Sequence, residues 1–164
     1  MISKPFRSTL YMPGSNPRAL EKAKTLPVDA LILDLEDSVS PDQKQVAREQ
    51  VVEATKAARN DGAYGSRQII IRSNSLDTPW GEDDLRAAAA AGPDAILLPK
   101  VNSAADIHQA EAILNEAGMP DHTTIWAMME TPLGILHAEE IAGASKRMGG
   151  FVMGTSDLVK DIHG

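Results

Sequence analysis

The sequence predicts an α/β fold built on a parallel sheet. Short, almost unbroken apolar runs recur along the chain, each stopping abruptly at polar or charged residues, and helical segments lie between them. Strands covered on both faces read this way, because neither face tolerates a polar side chain, whereas a sheet wetted on one side alternates. Aromatic residues make up only 4% of the 164 residues against 43% apolar overall, so the core is aliphatic, which suits helices packed on a buried sheet.

The elements follow in order. The run Ser8–Met12 ends in Pro13-Gly14, and Ser15 or Asn16 with Pro17 then opens a helix over Arg18–Thr25, a cap residue followed by proline being a helix start. Ala30–Leu35 is the second strand, ending in Glu36-Asp37, and the Ala- and Val-rich stretch Asp42–Ala58 is its helix. Gln68–Ile71 runs into Arg72-Ser73-Asn74. Glu82–Ala91 opens on three acids, which suit the positive end of a helix dipole, and stops at Gly92. Ala95–Leu98 ends in Pro99-Lys100. Ser103 caps a helix with apolar residues at Ile107, Ala110, Ile113, Leu114 and Ala117, closed by Gly118. Thr124–Met129 ends in Glu130-Thr131-Pro132, Leu133–Ala144 is a fifth helix weakened by Gly134, and Phe151–Met153 ends in Gly154-Thr155-Ser156-Asp157.

About six alternations of strand and helix make βαβ architecture, and without a repeat or a break in composition residues 1–164 read as one domain. Two closures fit this pattern: a doubly wound open sheet, or a TIM-type (β/α)₈ barrel, which needs eight units and about 250 residues.

Composition excludes several function classes. The net charge of −7 argues against a nucleic-acid partner, which needs a basic surface. The absence of cysteine removes disulfides, thiolate nucleophiles and Cys-ligated zinc. Met1–Arg7 lacks the apolar stretch of a signal peptide, and no apolar run approaches the roughly 20 residues of a membrane span. A cytoplasmic protein without membrane contact is expected.

Sites in parallel α/β folds form at the carboxyl ends of the strands. Five of the six runs end there in groups able to do chemistry: Glu36 and Asp37, Arg72, Lys100, Glu130, and Asp157. One polar strand end is ordinary structure; five together point to a site. An oxygen-rich set without histidine suits a hard cation such as Mg²⁺, which takes one or two protein carboxylates and leaves positions for water and substrate. His108, His122, His137 and His163 show no metal-ligand spacing, which disfavours zinc. No G-x-x-x-x-G-K-[ST] or G-x-G-x-x-G is present. Arg18 and Lys22, one turn apart on the first helix, make its start either a phosphate seat or a solvated basic turn.

Read together, these stretches resemble the HpcH/HpaI aldolase and citrate lyase family, in its citrate lyase β-subunit and malyl-CoA lyase subgroup. The resemblance rests on R-S-T-L-Y-M-P-G (Arg7–Gly14), L-D-L-E-D-S-V (Leu33–Val39) with K-x-x-x-R at Lys44–Arg48, I-R-S-N (Ile71–Asn74), L-P-K (Leu98–Lys100), M-E-T-P-L-G-I (Met129–Ile135) and M-G-T-S-D-L (Met153–Leu158). It implies a TIM-type barrel, homo-oligomeric as a trimer or hexamer. The implied activity is Mg²⁺-dependent (or Mn²⁺-dependent) carbon–carbon cleavage of a 3-hydroxyacyl-CoA to an acyl-CoA and an α-keto acid such as glyoxylate, pyruvate or oxaloacetate. By the same resemblance Glu130 and Asp157 are the metal ligands, Arg72 holds the keto-acid carboxylate with a bidentate fork, and Glu36 and Asp37 lie near the metal through water. Arg18 and Lys22 meet the phosphates of coenzyme A, and Lys100 is grouped with the substrate-binding residues.

Only about six of eight units lie in these 164 residues, and the acid/base aspartate that the resemblance places in a C-terminal lid has no match. The expectation is therefore that this chain alone folds poorly or self-associates, with the apolar faces of Leu10–Met12 and Phe151–Met153 lacking neighbours, and is inactive as a lyase. Three other readings fit the same residues: hydrolysis of a malyl-CoA thioester, a class II pyruvate aldolase on free hydroxy-keto acids (which would want a histidine base), or a non-catalytic assembly subunit.

Overall fold

The computed structural model describes residues 6–163. Six parallel strands form one sheet: β1 (Thr9–Pro13), β2 (Ala30–Asp34), β3 (Gln68–Arg72), β4 (Ala95–Leu98), β5 (Thr124–Met129) and β6 (Met148–Met153). They lie side by side in chain order. A doubly wound sheet reverses that order at a switch point, so the doubly wound alternative falls. β1 and β6 pair with no further strand among the described residues.

Strand periodicity of two separates the faces. Leu31, Leu33, Ile69, Ile71, Ile96, Leu98, Ile125, Ala127 and Met129 pack in one cluster with helical residues such as Ala47, Val51, Leu85, Ile107 and Leu114. The alternate residues Ala30, Ile32, Ile70, Ala95, Leu97, Trp126 and Met128 form a second cluster made of strand residues alone. All the packed helices therefore sit on one side, and the sheet curls over its other face until the Tyr11 hydroxyl of β1 reaches Met128 Sδ of β5 at 3.3 Å. Leu10, Phe151 and Met153 are exposed, as expected for β1 and β6, but Met12 is a correction: it is buried in the helix-facing layer.

The helices are α1 (Pro17–Ala23), α2 (Lys44–Asp61), α3 (Gly81–Ala91), α4 (Ala104–Glu116), α5 (Pro132–Leu136), α6 (Ala138–Ala142) and α7 (Thr155–Asp161). The stretch expected as one helix from Asp42 opens with a separate 3₁₀ turn at Pro41–Gln43. Leu133–Ala144 is two short helices broken at His137, whose ring Nδ1 lies 2.9 Å from the Asn102 carbonyl oxygen. None of the described helices is long and apolar enough to cross a membrane.

Buried and half-buried polar side chains fix the loops after β2, β3 and β4. Lys44 of α2 donates to the carbonyls of Leu35 and Glu36 at 2.8 and 2.7 Å and to Asn74 Oδ1 at 2.8 Å, filling all three hydrogens of a buried ammonium. Asn74 in turn meets Asp84 of α3, which takes Arg48 Nε at 2.7 Å. The K-x-x-x-R pair is thus a brace that ties the ends of β2 and β3 to α2 and α3. Asp106 does similar work after β4, its Oδ2 accepting the amides of Asn102 and Ser103 at 2.8 and 3.0 Å. Asp106→Ala leaves both donors without their partner and is expected to lower stability by about 1–2 kcal/mol; an unchanged urea midpoint would count against this role.

Candidate active site at the carboxyl rim

Register brings the first two groups together. Asp34 and Arg72 are Cα partners at the ends of β2 and β3, and both share the parity of the strand-only face. Arg72 Nε and Nη2 donate to the two oxygens of Asp34 at 2.7 and 2.8 Å, a side-on pair at which both residues are buried. Asp34 also accepts the Glu36 amide at 2.9 Å and both the amide and hydroxyl of Ser38, at 3.0 and 2.6 Å. Burial pushes its carboxyl up, but the Arg72 hydrogen bonds and charge, with Ser38, outweigh that and hold it below its ordinary value. The Arg72 guanidinium stacks on the Tyr11 ring with 4.9 Å between its carbon and the ring centre.

The remaining edge of Arg72 faces two more carboxylates. Nη1 lies 3.0 Å from Glu36 Oε2 and 3.3 Å from Asp37 Oδ2, and only the Asp37 contact has hydrogen-bond alignment, so Glu36 Oε2 is buried without a hydrogen-bond partner. Burial pushes Glu36 up to about 7; Arg72 opposes this, while the charges of Asp37 and Glu130 add to it. Lys100 Nζ lies 3.9 Å from Glu36 Oε1.

Glu130, at the end of β5, is buried. Its Oε1 accepts the Lys100 amide at 2.7 Å. Its Oε2 lies where residue 154 has room for it because that residue is glycine: a Cβ there would stand 2.6 Å from the oxygen and 2.5 Å from the Glu130 Cβ. Burial raises the Glu130 carboxyl; the Lys100 amide opposes the shift, and the negative charge of Asp157, in the first turn of α7, adds to it. A buried carboxylate whose proton affinity is raised by burial and by a neighbouring negative charge is what a bound cation relieves.

The donor set fits Mg²⁺. No three His, Asp or Glu residues cluster as a metal cage among the described residues. Two acidic groups from adjacent strand ends, one of them with a single oxygen already committed to an amide, match a cation that keeps most of its waters.

Arg72, Glu36, Asp37, Lys100 and Glu130 therefore meet as the sequence suggests, with Asp157 beside them. Arg18 and Lys22 do not join them: both are exposed on α1 and form no ion pair among the described residues. The Asn16 side chain already accepts the Ala19 amide at the start of that seven-residue helix, so the helix end is capped from within. The fork expected of Arg72 needs correcting too, since its Nε–Nη2 edge is spent on Asp34 and its Nη1 side already faces Glu36 and the exposed Asp37. Asp34 and Tyr11 escaped the sequence reading. The available signal was an acid at Asp34 inside an otherwise apolar run, two residues before Glu36 and hence on the same face.

The chain is 51% identical over 158 residues to a (3S)-malyl-CoA thioesterase of Cereibacter sphaeroides (strain ATCC 17025 / ATH 2.4.3), covering 96% of this chain and 52% of that protein. It is 38% identical over 161 residues to citrate lyase subunit beta of Leuconostoc mesenteroides subsp. cremoris, covering 95% and 52%. It thus spans about half the length of these curated relatives. Among solved structures, CitE of Mycobacterium tuberculosis in complex with magnesium, acetoacetate and coenzyme A superposes with a TM-score of 0.73 at 28% identity, over 95% of this chain and 51% of that one. The expectation of a carbon–carbon lyase is overturned by the thioesterase relatives, several of which share about half of their matched residues with this chain. With residues 7–164 matched by the model for HpcH/HpaI aldolase/citrate lyase, and with that family's strand-end motifs meeting at one rim, the chain belongs to this family.

Proposed function

We propose that the protein hydrolyses the thioester of a malyl-CoA-type substrate, a 3-hydroxyacyl-CoA, as part of a TIM-type (β/α)₈ barrel of which β1 to β6 are six strands. The observation that carries the reading is the 51% identity to a malyl-CoA thioesterase across 96% of the chain. In the reaction water adds to the thioester carbonyl, the C–S bond breaks, and the thiolate leaves with a proton as free coenzyme A beside the hydroxy-dicarboxylic acid.

Glu130 and Asp157 are the residues that would hold Mg²⁺ or Mn²⁺. When bound, the cation supplies Lewis-acid polarisation of a substrate oxygen and charge neutralisation for the rim carboxylates. Arg72, locked by Asp34 on one edge, offers Nη1 to a substrate carboxylate as a charge-assisted donor by exchanging its contact with the exposed Asp37. Glu36, with one oxygen unbonded and its proton affinity raised to about 7, suits the proton from attacking water, because an acid–base group works best near the operating pH. Asp37, exposed beside it, shares Arg72 and contributes negative charge near the cation. Lys100 extends toward Glu36 at the solvent side, and Arg18 and Lys22, exposed and without an ion pair among the described residues, are cations for the phosphates of coenzyme A.

Product analysis tests the proposal. Incubation with malyl-CoA and Mg²⁺ is expected to release malate and free thiol in equal amounts, with loss of activity in EDTA. Formation of acetyl-CoA and glyoxylate, or no turnover, would refute it.

A further inference from the structure

Lys100 and His163 are the two non-glycine residues with positive φ among the described residues, Lys100 at 52°. That conformation crowds Cβ against the backbone, and it persists at an interior turn only where the surroundings over-determine it. The lysine side chain supplies no reason for it, being 52% exposed with its ammonium 3.9 Å from the nearest carboxylate. The backbone does supply one. The N–H of the Pro99–Lys100 peptide meets Glu130 Oε1, 2.7 Å away, and the positive φ then swings the chain that follows toward the loop after β5 without moving that amide.

The turn is clamped on its far side. Asn102 Oδ1 accepts the Thr131 hydroxyl at 2.6 Å, the Asn102 carbonyl meets the His137 ring at 2.9 Å, and Asp106 takes the amides of Asn102 and Ser103. Thr131 and His137 follow Glu130 in the chain, so the same contacts join the loop that donates the amide to the loop that carries the carboxylate. Gly154 closes the arrangement by leaving space for Oε2.

We infer that the left-handed turn at Lys100 is a positioning device for Glu130, in which the main-chain amide occupies Oε1 and leaves Oε2 as the oxygen presented to a divalent cation. The inference rests on the reading of Glu130 as a metal carboxylate. A carboxylate already fixed through one oxygen has little freedom left to lose when it binds. The residue's contribution is then made by its backbone, and any side chain that tolerates positive φ can replace it.

Mn²⁺ dissociation constants, read from the free-ion signal in electron paramagnetic resonance, test this without reference to turnover. Lys100→Gly, Lys100→Asn, Lys100→Ala and Lys100→Val all lose the ammonium, so differences among the four report the backbone. Glycine and asparagine enter the left-handed region readily, and those variants are expected to bind within about threefold of each other. Alanine should bind about fivefold more weakly than glycine and the β-branched valine at least about tenfold more weakly; if the valine variant does not fold, the order of the other three decides. Equal affinity across the set overturns the inference. Glu130→Gln separates the two layers: an affinity like that of the natural chain removes the metal reading and the inference together, while a loss of tenfold or more beside four equal Lys100 variants removes the inference alone.

Discussion

Asp34→Asn is expected to destabilise the protein by about 3–5 kcal/mol, the range for removing one partner of a buried ion pair. The amide keeps the size of the carboxylate but places N–H groups where Arg72 needs acceptors, and it strands a guanidinium that is almost fully inside the protein. A loss of that size is a large share of the roughly 5–15 kcal/mol that holds a typical domain. Its pH dependence follows from the direction of the shift. Asp34 has a folded proton affinity below that of the unfolded chain, so its stabilisation is present above the unfolded value, about 3.9, and disappears as pH falls through the folded one. Wild type and Asp34→Asn should therefore differ fully at pH 7 and converge in acid. A double-mutant cycle with Arg72→Met would assign the loss to the pair. Unfolding free energies from urea titration within about 0.5 kcal/mol of each other at pH 7 would show that the pair is not holding β2 to β3.

Glu36→Gln is expected to act in the opposite direction on stability. The natural carboxyl is raised to about 7 by burial, so the folded state holds a proton that the unfolded chain has released over the window from about pH 4.5 to 7. Stability attributable to this group is intact below that window and falls as pH rises through it. A shift from 4.5 to about 7 corresponds to roughly 3 kcal/mol. In EDTA, Glu36→Gln should match the natural protein near pH 4.5 and exceed it by up to that amount at pH 8, while in Mg²⁺ the variant should lose the proposed thioester hydrolysis that the natural protein retains. A stability difference that does not change with pH would end this account of Glu36. The expected gain is the signature of a residue kept for chemistry at the expense of the fold.

The fold was legible in the sequence because both faces of its strands are buried, so the apolar runs carry strand positions almost residue for residue; β4 and β5 match the expected limits. β6 was read short, at Phe151–Met153, because Gly149 and Gly150 look like loop residues. They are strand residues lying against the Trp126 side chain, and a Cβ on Gly149 would stand 2.7 Å from the indole nitrogen. The division at His137 was hidden for a related reason, since Asn102, which meets its ring, is remote in sequence. At the site, residues that end strands were found by position alone. Asp34 was not, because it sits where an apolar residue is expected and its partner emerges only once the β2–β3 register is known. Lys44 likewise read as one end of a family motif, and only its three acceptors show that it braces the loop carrying Glu36.

The agreement between strand order and chain order has a kinetic side. Each strand pairs with the one made just before it, so every closure spans a single βα unit, and short closures cost little chain entropy. Parallel sheets are slow to form when partners are far apart in sequence; this one can grow by accretion from its amino-terminal strands, in the direction in which a ribosome delivers it. The rim then matures in stages. Asp34 and Arg72 can pair as soon as β3 docks on β2, whereas Glu130 finds the Lys100 amide only after β5 has joined β4. A nascent chain of this kind completes the Asp34–Arg72 pair first and the Glu130 end of the rim last, so the proposed cation site can be assembled only once β5 and β6 are in place.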